Sequence, residues 1–587
     1  MSASSLQAHV RQAGERFGDS AAQIFVPSGD PAGSASETSF AELADDVRRR
    51  ATGLAALGVS RRDRVTIMTP LGPHGLSTLM GAMVAATAAP VNYFLEAGAL
   101  TRLVEAAGAV ALVVARSFAD EPGAPAKAAA IRATLPHLKI IAYGEGPNIE
   151  GALDLDAVTA RVEKRGWLDE HGQSDGNRVL ALFHTGGTTG RPKLVPHTEA
   201  MYNAMLASSA EPMGVTAGNR ILGGLPLFHT SGALQAGIVP TLSGCGVVIP
   251  SPAGFRAPGI VANYWAFVRR FGVTVGGSVP TILNALAGVA APEPLPGLKH
   301  ILCGGAPLPL STIEAIAARS GGAAVLEGWG MTETCGFSVL NPQRDRRLGS
   351  VGVPFRGVEV EVRRAVDGGE ALATDMIGEL VVRGDIVIRK YGDDRPGSFT
   401  DDGWLRTGDL ARVDSDGYLY IVGRAKDLII RSGHNLDPAL IENPAYAHPA
   451  VELAAAVGRP DRYAGELPIL FVQLRPNMTA TPEELLEFVA ARIEERAAMP
   501  KAVHIIDVMP ISGPGKVSKV PLRYEAARAV MQADIDTVDA ADGVAVAIVE
   551  DDRHGVVVRL RGPATALSAA ARALAGYPYR IVEEHTV

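Results

Sequence analysis

Up to about residue 420 the chain alternates short runs of β-branched and other apolar residues with longer Ala- and Leu-rich runs. "DRVTIMTP", "VALVVA", "LKIIAYG", "NRVLALFHT", "GCGVVIPS", "LKHILCGG" and "AAVLEGWG" have the continuous apolar character of buried strands. "LTRLVEAAGA", "GIVANYWAFVRRFG" and "LSTIEAIAARSG" read as helices between them. This alternation predicts an α/β fold of stacked, mostly parallel sheets with helices. From about Gly349 to Tyr420 the texture changes to "VEVEVRRA", "GELVVRG" and "GYLYIVG", strands with only turns between them, which predicts an antiparallel, β-barrel-like subdomain. A smaller α+β region follows "GRAKDLIIRSGHNLDP" (Gly423–Pro438) and runs to about Arg523. Its helix "TPEELLEFVAARIEE" has Thr481 as cap, Pro482 in the first turn and Glu484 to complete a capping box. The tail holds an expected hairpin, "GVAVAIVEDDRHGVVVRLRG", then an Ala-rich helix and "YRIVEE".

These textures divide the chain into a large domain over 1–425, a small domain over 426–523, and a β-β-α-β extension over 524–587 to which the sequence assigns no role. The apolar stretch "TLMGAMVAATAAPVNYF" (Thr78–Phe94) is short and interrupted by Pro90, so a buried helix and turn is predicted there rather than a membrane span.

At 587 residues, 47% hydrophobic and 20% charged, the composition is that of a globular, multidomain protein. A net charge of −8 argues against a general nucleic-acid binder or membrane-surface protein, and leaves room for a locally cationic site for a small anion. Three cysteines without paired spacing form neither a disulfide framework nor a zinc site, and fit a reducing, cytoplasmic location. No secretory leader pattern and no repeat are apparent.

The chemistry begins with "FHTGGTTGRPKLVPH" (Phe183–His197). It is not a Walker loop, since no Gly-Lys-Ser/Thr occurs and the next segment begins as a strand. "SGPGKVSK" also fails, because Val517 stands where Ser or Thr is needed, and neither a dinucleotide-binding Gly pattern nor a nucleophile elbow occurs. The loop is nonetheless suited to phosphate: glycines turn backbone N–H groups toward one point, threonine hydroxyls donate, and Lys193 brings charge. Taken alone, it is equally well a surface turn.

Four further segments follow in order: "GWGMTET" (Gly328–Thr334), "LRTGDLARVDSDGY" (Leu405–Tyr418), Gly423–Pro438, and "PISGPGKVSKVPLR" (Pro510–Arg523). With these five, the sequence resembles the adenylate-forming (AMP-binding) superfamily over roughly residues 20–523, its acyl-CoA synthetase branch most closely. The resemblance implies a small C-terminal lid domain that moves, and a reaction in two steps. ATP and a carboxylic acid give an acyl-adenylate and pyrophosphate; the thiol of CoA then displaces AMP.

Residue by residue, the resemblance implies that Thr185, Gly186, Gly187, Thr188, Thr189, Gly190 and Lys193 wrap the β- and γ-phosphates of ATP. Gly186 stands where the family usually has a hydroxyl residue. Thr332 would contact the α-phosphate and Glu333 would ligate Mg²⁺, a hard cation suited to carboxylate and phosphate oxygens. Asp409 resembles the ribose-binding aspartate, with Arg424 beside it. Gly304, Gly305 and Ala306, with Gly328 and Trp329, resemble the adenine pocket. Lys516 matches the catalytic lysine of adenylation, and Lys519 replaces a frequent arginine. Lys426 matches the hinge. Ser432, Gly433 and His434 would line the pantetheine tunnel of CoA. His229 resembles the gate of the acyl pocket, whose walls would include Gly232, Val279, Cys303, Met331 and Cys335. Those walls are apolar and hold no lone aspartate for an ammonium group, which points to a fatty or related apolar acid rather than an amino acid.

Each residue has a plainer alternative: a solvated carboxylate for Glu333, a linker charge for Lys426, a structural histidine for His229, a surface lysine for Lys516. The rival readings are an acyl-AMP ligase serving a separate acyl carrier protein and a non-enzymatic scaffold. A homodimer remains open, and no nucleic acid or integral membrane association is expected.

Overall fold

The computed structural model describes residues 4–585 apart from 163–165, 169–174, 186–192, 292–294, 296, 365–368, 394, 425–426, 432–433, 494, 512–515, 552–554 and 578. Two large sheets carry the N-terminal region. In the seven-stranded sheet the order is Leu153–Asp154, Lys139–Tyr143, Ala111–Ala115, Arg64–Met68, Thr87–Pro90, Val179–Thr185, Lys193–Thr198. Every pair is parallel except the final hairpin. Ala111–Ala115 is buried at all its positions, as a parallel strand covered on both faces must be.

The nine-stranded sheet runs Val353–Pro354, Gly336–Leu340, Ala324–Met331, His300–Gly304, Val275–Ser278, Arg220–Leu222, Gly246–Ile249, Ala21–Phe25, Ser36–Ser39. Its inner strands are parallel and its edge pairs antiparallel. The largest core cluster draws on both sheets, and a second, around Tyr264, Trp265 and Phe267, belongs to the nine-stranded sheet and its helices. The α/β architecture expected from the alternation is therefore the one the chain adopts.

The stretch after Thr78 departs in one respect. Pro73–Ala85 is the buried helix, but Thr87–Pro90 is a fully buried strand rather than a turn. Alanines are poor strand formers, and ladders to Arg64–Met68 and Val179–Thr185 override that weak preference. Pro90 ends the strand, where its missing N–H interrupts nothing inside the ladder.

Val358–Arg363, Gly378–Gly384, Leu405–Val413 and Leu419–Arg424 form the antiparallel region as a four-stranded sheet, whose last strand also bridges Gly352, just ahead of the first strand. The small C-terminal α+β region is built on the long hairpin Val451–Asp461/Gly465–Leu474, flanked by Ile429–Arg431 and Val503–Ile505. Its helix Pro482–Ala490 carries the full Thr481/Glu484 capping box. The helix Lys519–Asp536 runs through the boundary drawn at 523/524. Leu522 and Ala526 pack on the core of the hairpin, while Met531 and Ile535 pack into the tail. The tail itself runs Ala545–Asp551, Gly555–Gly562, helix Ala564–Ala573 and Arg580–His585, the last strand parallel to the second.

Candidate active site

Three strands of the two sheets end in residues that the sequence singles out. Val179–Thr185 ends at Thr185, His300–Gly304 opens into Gly305 and Ala306, and Ala324–Met331 passes into the short helical turn Thr332–Thr334. In α/β sheets the carboxyl ends of strands form the ligand crevice. Thr185 is the register partner of Lys193. Gly186, Gly187, Thr188, Thr189 and Gly190 lie outside the described residues.

Lys193 crosses from one sheet to the other. Its Nζ lies 2.7 Å from Oε1 of Glu333, a carboxylate only 2% exposed. The Tyr391 hydroxyl donates to the same oxygen at 2.9 Å, and its ring sits 4.1 Å from the lysine nitrogen. Both of these contacts are made by Oε1. Burial and Glu333 together push the Tyr391 hydroxyl well above its ordinary pKa, so it remains a donor. His197 Nε2 lies 2.7 Å from the Thr332 carbonyl. As that acceptor requires, Nε2 carries the proton. Burial holds His197 neutral, its pKa lowered to about 4, against the opposing pull of the Thr332 carbonyl and Glu333.

A second carboxylate sits at the mouth of the four-stranded sheet. Asp409 and Arg424 are register partners on adjacent strands, and Arg424 Nε lies 3.1 Å from Asp409 Oδ1. Trp329 Nε1 donates to Asp409 Oδ2 at 2.8 Å. Asp409 thus spans a wall of the nine-stranded sheet and the sheet that delivers Arg424. Gly304 and Gly328 press against the ring of Phe337, where a Cβ on either would collide with it. Gly305 has a φ of +94°, a left-handed conformation that favours glycine.

Lys516 reaches this crevice from the C-terminal region. A Cβ built on Gly305 would meet Lys516 Cε at 2.8 Å and Nζ at 3.2 Å, so the lysine tip lies directly over that glycine. Burial and the Arg424 charge lower its pKa to about 8, against the opposing attraction of Asp409. His229 is neutral for related reasons: burial lowers its pKa to about 3, with Lys516 and His184 adding to the effect. The Ser231 backbone N–H donates to His229 Nδ1 at 3.3 Å, which leaves the proton on Nε2. His184 Nε2 accepts from the Asn92 N–H at 3.0 Å, and burial lowers its pKa to about 4.

The candidate acyl walls divide. His229 opens the turn into a π-helix, Ser231–Ile238, and Gly232 packs on the Leu225 and Pro226 carbonyls. Trp329 and Cys335 are buried in the cluster against which Met331 packs, and Cys335 holds a left-handed φ of 57°. Val279 is buried ahead of the helix Pro280–Leu286. Cys303 is set apart from these: it is buried in the other cluster, with Ile301, Tyr264 and Val325. Strand alternation explains this, since residues 301 and 303 share a face and Leu302 takes the other. Lys426, Ser432 and Gly433 lie outside the described residues, and His434 begins the strand His434–Leu436.

The family model described as AMP-binding enzyme matches residues 10–392, and that of the AMP-binding enzyme C-terminal domain matches residues 440–516. The chain belongs to the AMP-binding enzyme family. Together with its CoA-ligase relatives, this makes the chain an AMP-forming acid–thiol ligase. A marinolic acid–CoA ligase of Pseudoalteromonas sp. (strain SANK 73390) is 32% identical over 569 residues, covering 94% of this chain and 86% of the relative. That coverage exceeds residues 1–523, so the similarity continues into the tail. A long-chain-fatty-acid–CoA ligase of Mycobacterium tuberculosis is 30% identical over 495 residues, covering 83% and 92%. Among solved structures, ATP-bound MatB from Rhodopseudomonas palustris superimposes with a TM-score of 0.74 at 26% identity, covering 89% of this chain and 98% of that one. Among the described residues, no helix is long and apolar enough to cross a membrane.

In this AMP-binding enzyme three site residues escaped the sequence reading. His184 and His197 lie inside the first motif, but nothing in it separates them from a strand's structural histidines. Tyr391 follows no motif at all; only its contact with Glu333, 58 residues away in sequence, marks it.

Proposed function

We propose that the protein is an ATP-dependent acyl-CoA synthetase acting on an apolar carboxylic acid. One observation carries the reading: the Lys516 ammonium lies over Gly305, in the electrostatic reach of both Asp409 and His229. The nucleotide and acyl sides of the crevice thus share one cation, as a single-site reaction between phosphate and carboxylate requires.

The ribose hydroxyls would donate to Asp409, whose orientation Trp329 and Arg424 fix. Gly304, Gly305, Ala306, Gly328 and Trp329 would flank the adenine. The loop from Thr185 to Lys193 would hold the terminal phosphates, and Thr332 the α-phosphate. The acid enters past His229, with Gly232, Val279, Met331 and Cys335 about it. A carboxylate oxygen then attacks the α-phosphorus, and the bond to the β-phosphate breaks to release pyrophosphate. Lys516 bridges the attacking carboxylate and the α-phosphate, offsetting charge as it builds.

Glu333 fits a magnesium site. It is a buried carboxylate beside Lys193 and Thr332, and Mg²⁺ commonly takes one or two carboxylates with substrate phosphates. Among the described residues no cluster of three His, Cys, Asp or Glu side chains could hold a metal alone. The ion would supply positive charge at the phosphates.

For thioester formation the small C-terminal domain, 426–523, turns about Lys426, withdrawing Lys516. Ser432, Gly433 and His434 then line the path of CoA, whose sulfur attacks the acyl carbon as AMP departs. CoA is favoured over a carrier protein because the relatives are CoA ligases. The test is a panel of carboxylic acids of graded length and aromaticity, assayed for pyrophosphate, AMP and acyl-CoA. Apolar acids should give all three, with AMP release dependent on CoA. AMP release with a polar amino acid as the best substrate, or without CoA, would overturn the proposal.

A further inference from the structure

Behind His229 lies a narrow cavity between the π-helix Ser231–Ile238, the helix Pro73–Ala85 and the nine-stranded sheet. Leu71, Leu76, Leu225, Leu227, Val247 and Ile249 line it with hydrocarbon. Gly232 belongs both to this lining and to the first turn after His229, to whose carbonyl its N–H donates at 3.1 Å. The cavity therefore continues the wall that begins at the acyl gate.

One lining side chain breaks the apolar pattern. Gln23 is 1% exposed and pairs in register with Val247, itself part of the lining. Neither Oε1 nor Nε2 of Gln23 has a partner among the described residues. A buried amide without hydrogen bonds is costly, and an apolar side chain of similar shape would avoid the cost. An unsatisfied donor and acceptor held together over hydrocarbon is a recognition element awaiting its complement.

We infer that this cavity receives the distal part of the acid, and that Gln23 selects aliphatic acids carrying a hydroxyl at the depth of its amide. The inference rests on the ligase reading above and narrows its substrate class. A hydroxyl both donates and accepts, so it satisfies both ends of the amide. A second carboxylate does not fit, because no charged side chain lines the cavity to pair with it. A bulky ring does not fit either: the cavity is narrow, with room for about one water, which suits the tip of a slender chain.

The test is acid-dependent ATP–pyrophosphate exchange without CoA, using saturated acids of several chain lengths, each unsubstituted or bearing one hydroxyl at successive positions. In the wild-type protein one hydroxyl position should raise kcat/KM by about 10-fold or more over the unsubstituted acid of equal length. Gln23→Leu should abolish that difference and raise the thermal midpoint, since an unpaired buried amide is gone. Gln23→Met serves the same purpose if the leucine variant does not fold. A wild-type protein that favours the unsubstituted acid at every position and length overturns the inference without recourse to any variant. So does a Gln23→Leu or Gln23→Met protein that keeps the hydroxyl preference. Failure of the ligase reading looks different: no acid supports exchange, or exchange occurs and no acyl-CoA follows when CoA is added.

Discussion

Lys516 shows how far one residue's chemistry depends on its surroundings. Burial and Arg424 push its proton off while Asp409 holds it, and the balance falls at about 8. The proposed role needs the ammonium, which is the form present below that value. For the free enzyme, kcat/KM for adenylation should therefore fall as pH rises through about 8, whereas a lysine near its ordinary 10.4 would show no such limb. Lys516→Arg should remove the limb while lowering the rate. Lys516→Ala should slow adenylation by a factor on the order of 10²–10³ and leave thioester formation from supplied acyl-adenylate within a few-fold. Equal loss in both half-reactions would contradict the proposed departure of the lysine. At this scale the sequence was most legible where charge sits inside a motif. Glu333, Asp409, Arg424 and Lys516 could all be named from their neighbours. Tyr391 and His184 could not, because what makes them notable is a partner far along the chain.

Elements were legible where pattern and propensity agree. The helix Pro482–Ala490 announced itself by its cap, and the inner strands by unbroken apolar runs. Thr87–Pro90 did not, because alanines and a proline carry no strand signal and only tertiary pairing makes it one. Ala324–Met331 carries a further feature invisible to periodicity, a bulge between Trp329 and Gly330 that reshapes its end just before Thr332. A Cβ on Gly330 would fall on the Gly336 carbonyl. Gly330→Ala should consequently cost about 1–3 kcal/mol by denaturant unfolding. It should also raise the KM for ATP, because Trp329 and Thr332 flank the displaced backbone. Unchanged stability and KM would show that the strand end yields freely.

For the whole molecule, the informative junction is the helix Lys519–Asp536, which belongs to two cores at once. A chain ending after Thr537 keeps that helix but strips the cover from Met531 and Ile535. Each fully buried side chain of this kind is worth about 1.5–3 kcal/mol, so the thermal midpoint should drop by several degrees. Ending the chain after Arg523 instead removes Ala526, part of the cluster against which Val517, the neighbour of Lys516, packs. Pyrophosphate exchange should then fall by more than about 10-fold, a larger loss than the first truncation gives. Exchange rates that ignore both cuts would mean that the tail is a passenger.

The same helix starts three residues beyond Lys516 and finishes in the tail's own core. The lysine and the appendix are in this sense two ends of one rod. Were the rod to swing with the proposed domain movement, whatever grips the three-stranded tail would add its drag to the stroke. A tether fixed to that appendix would throttle the enzyme from outside, without ever touching substrate.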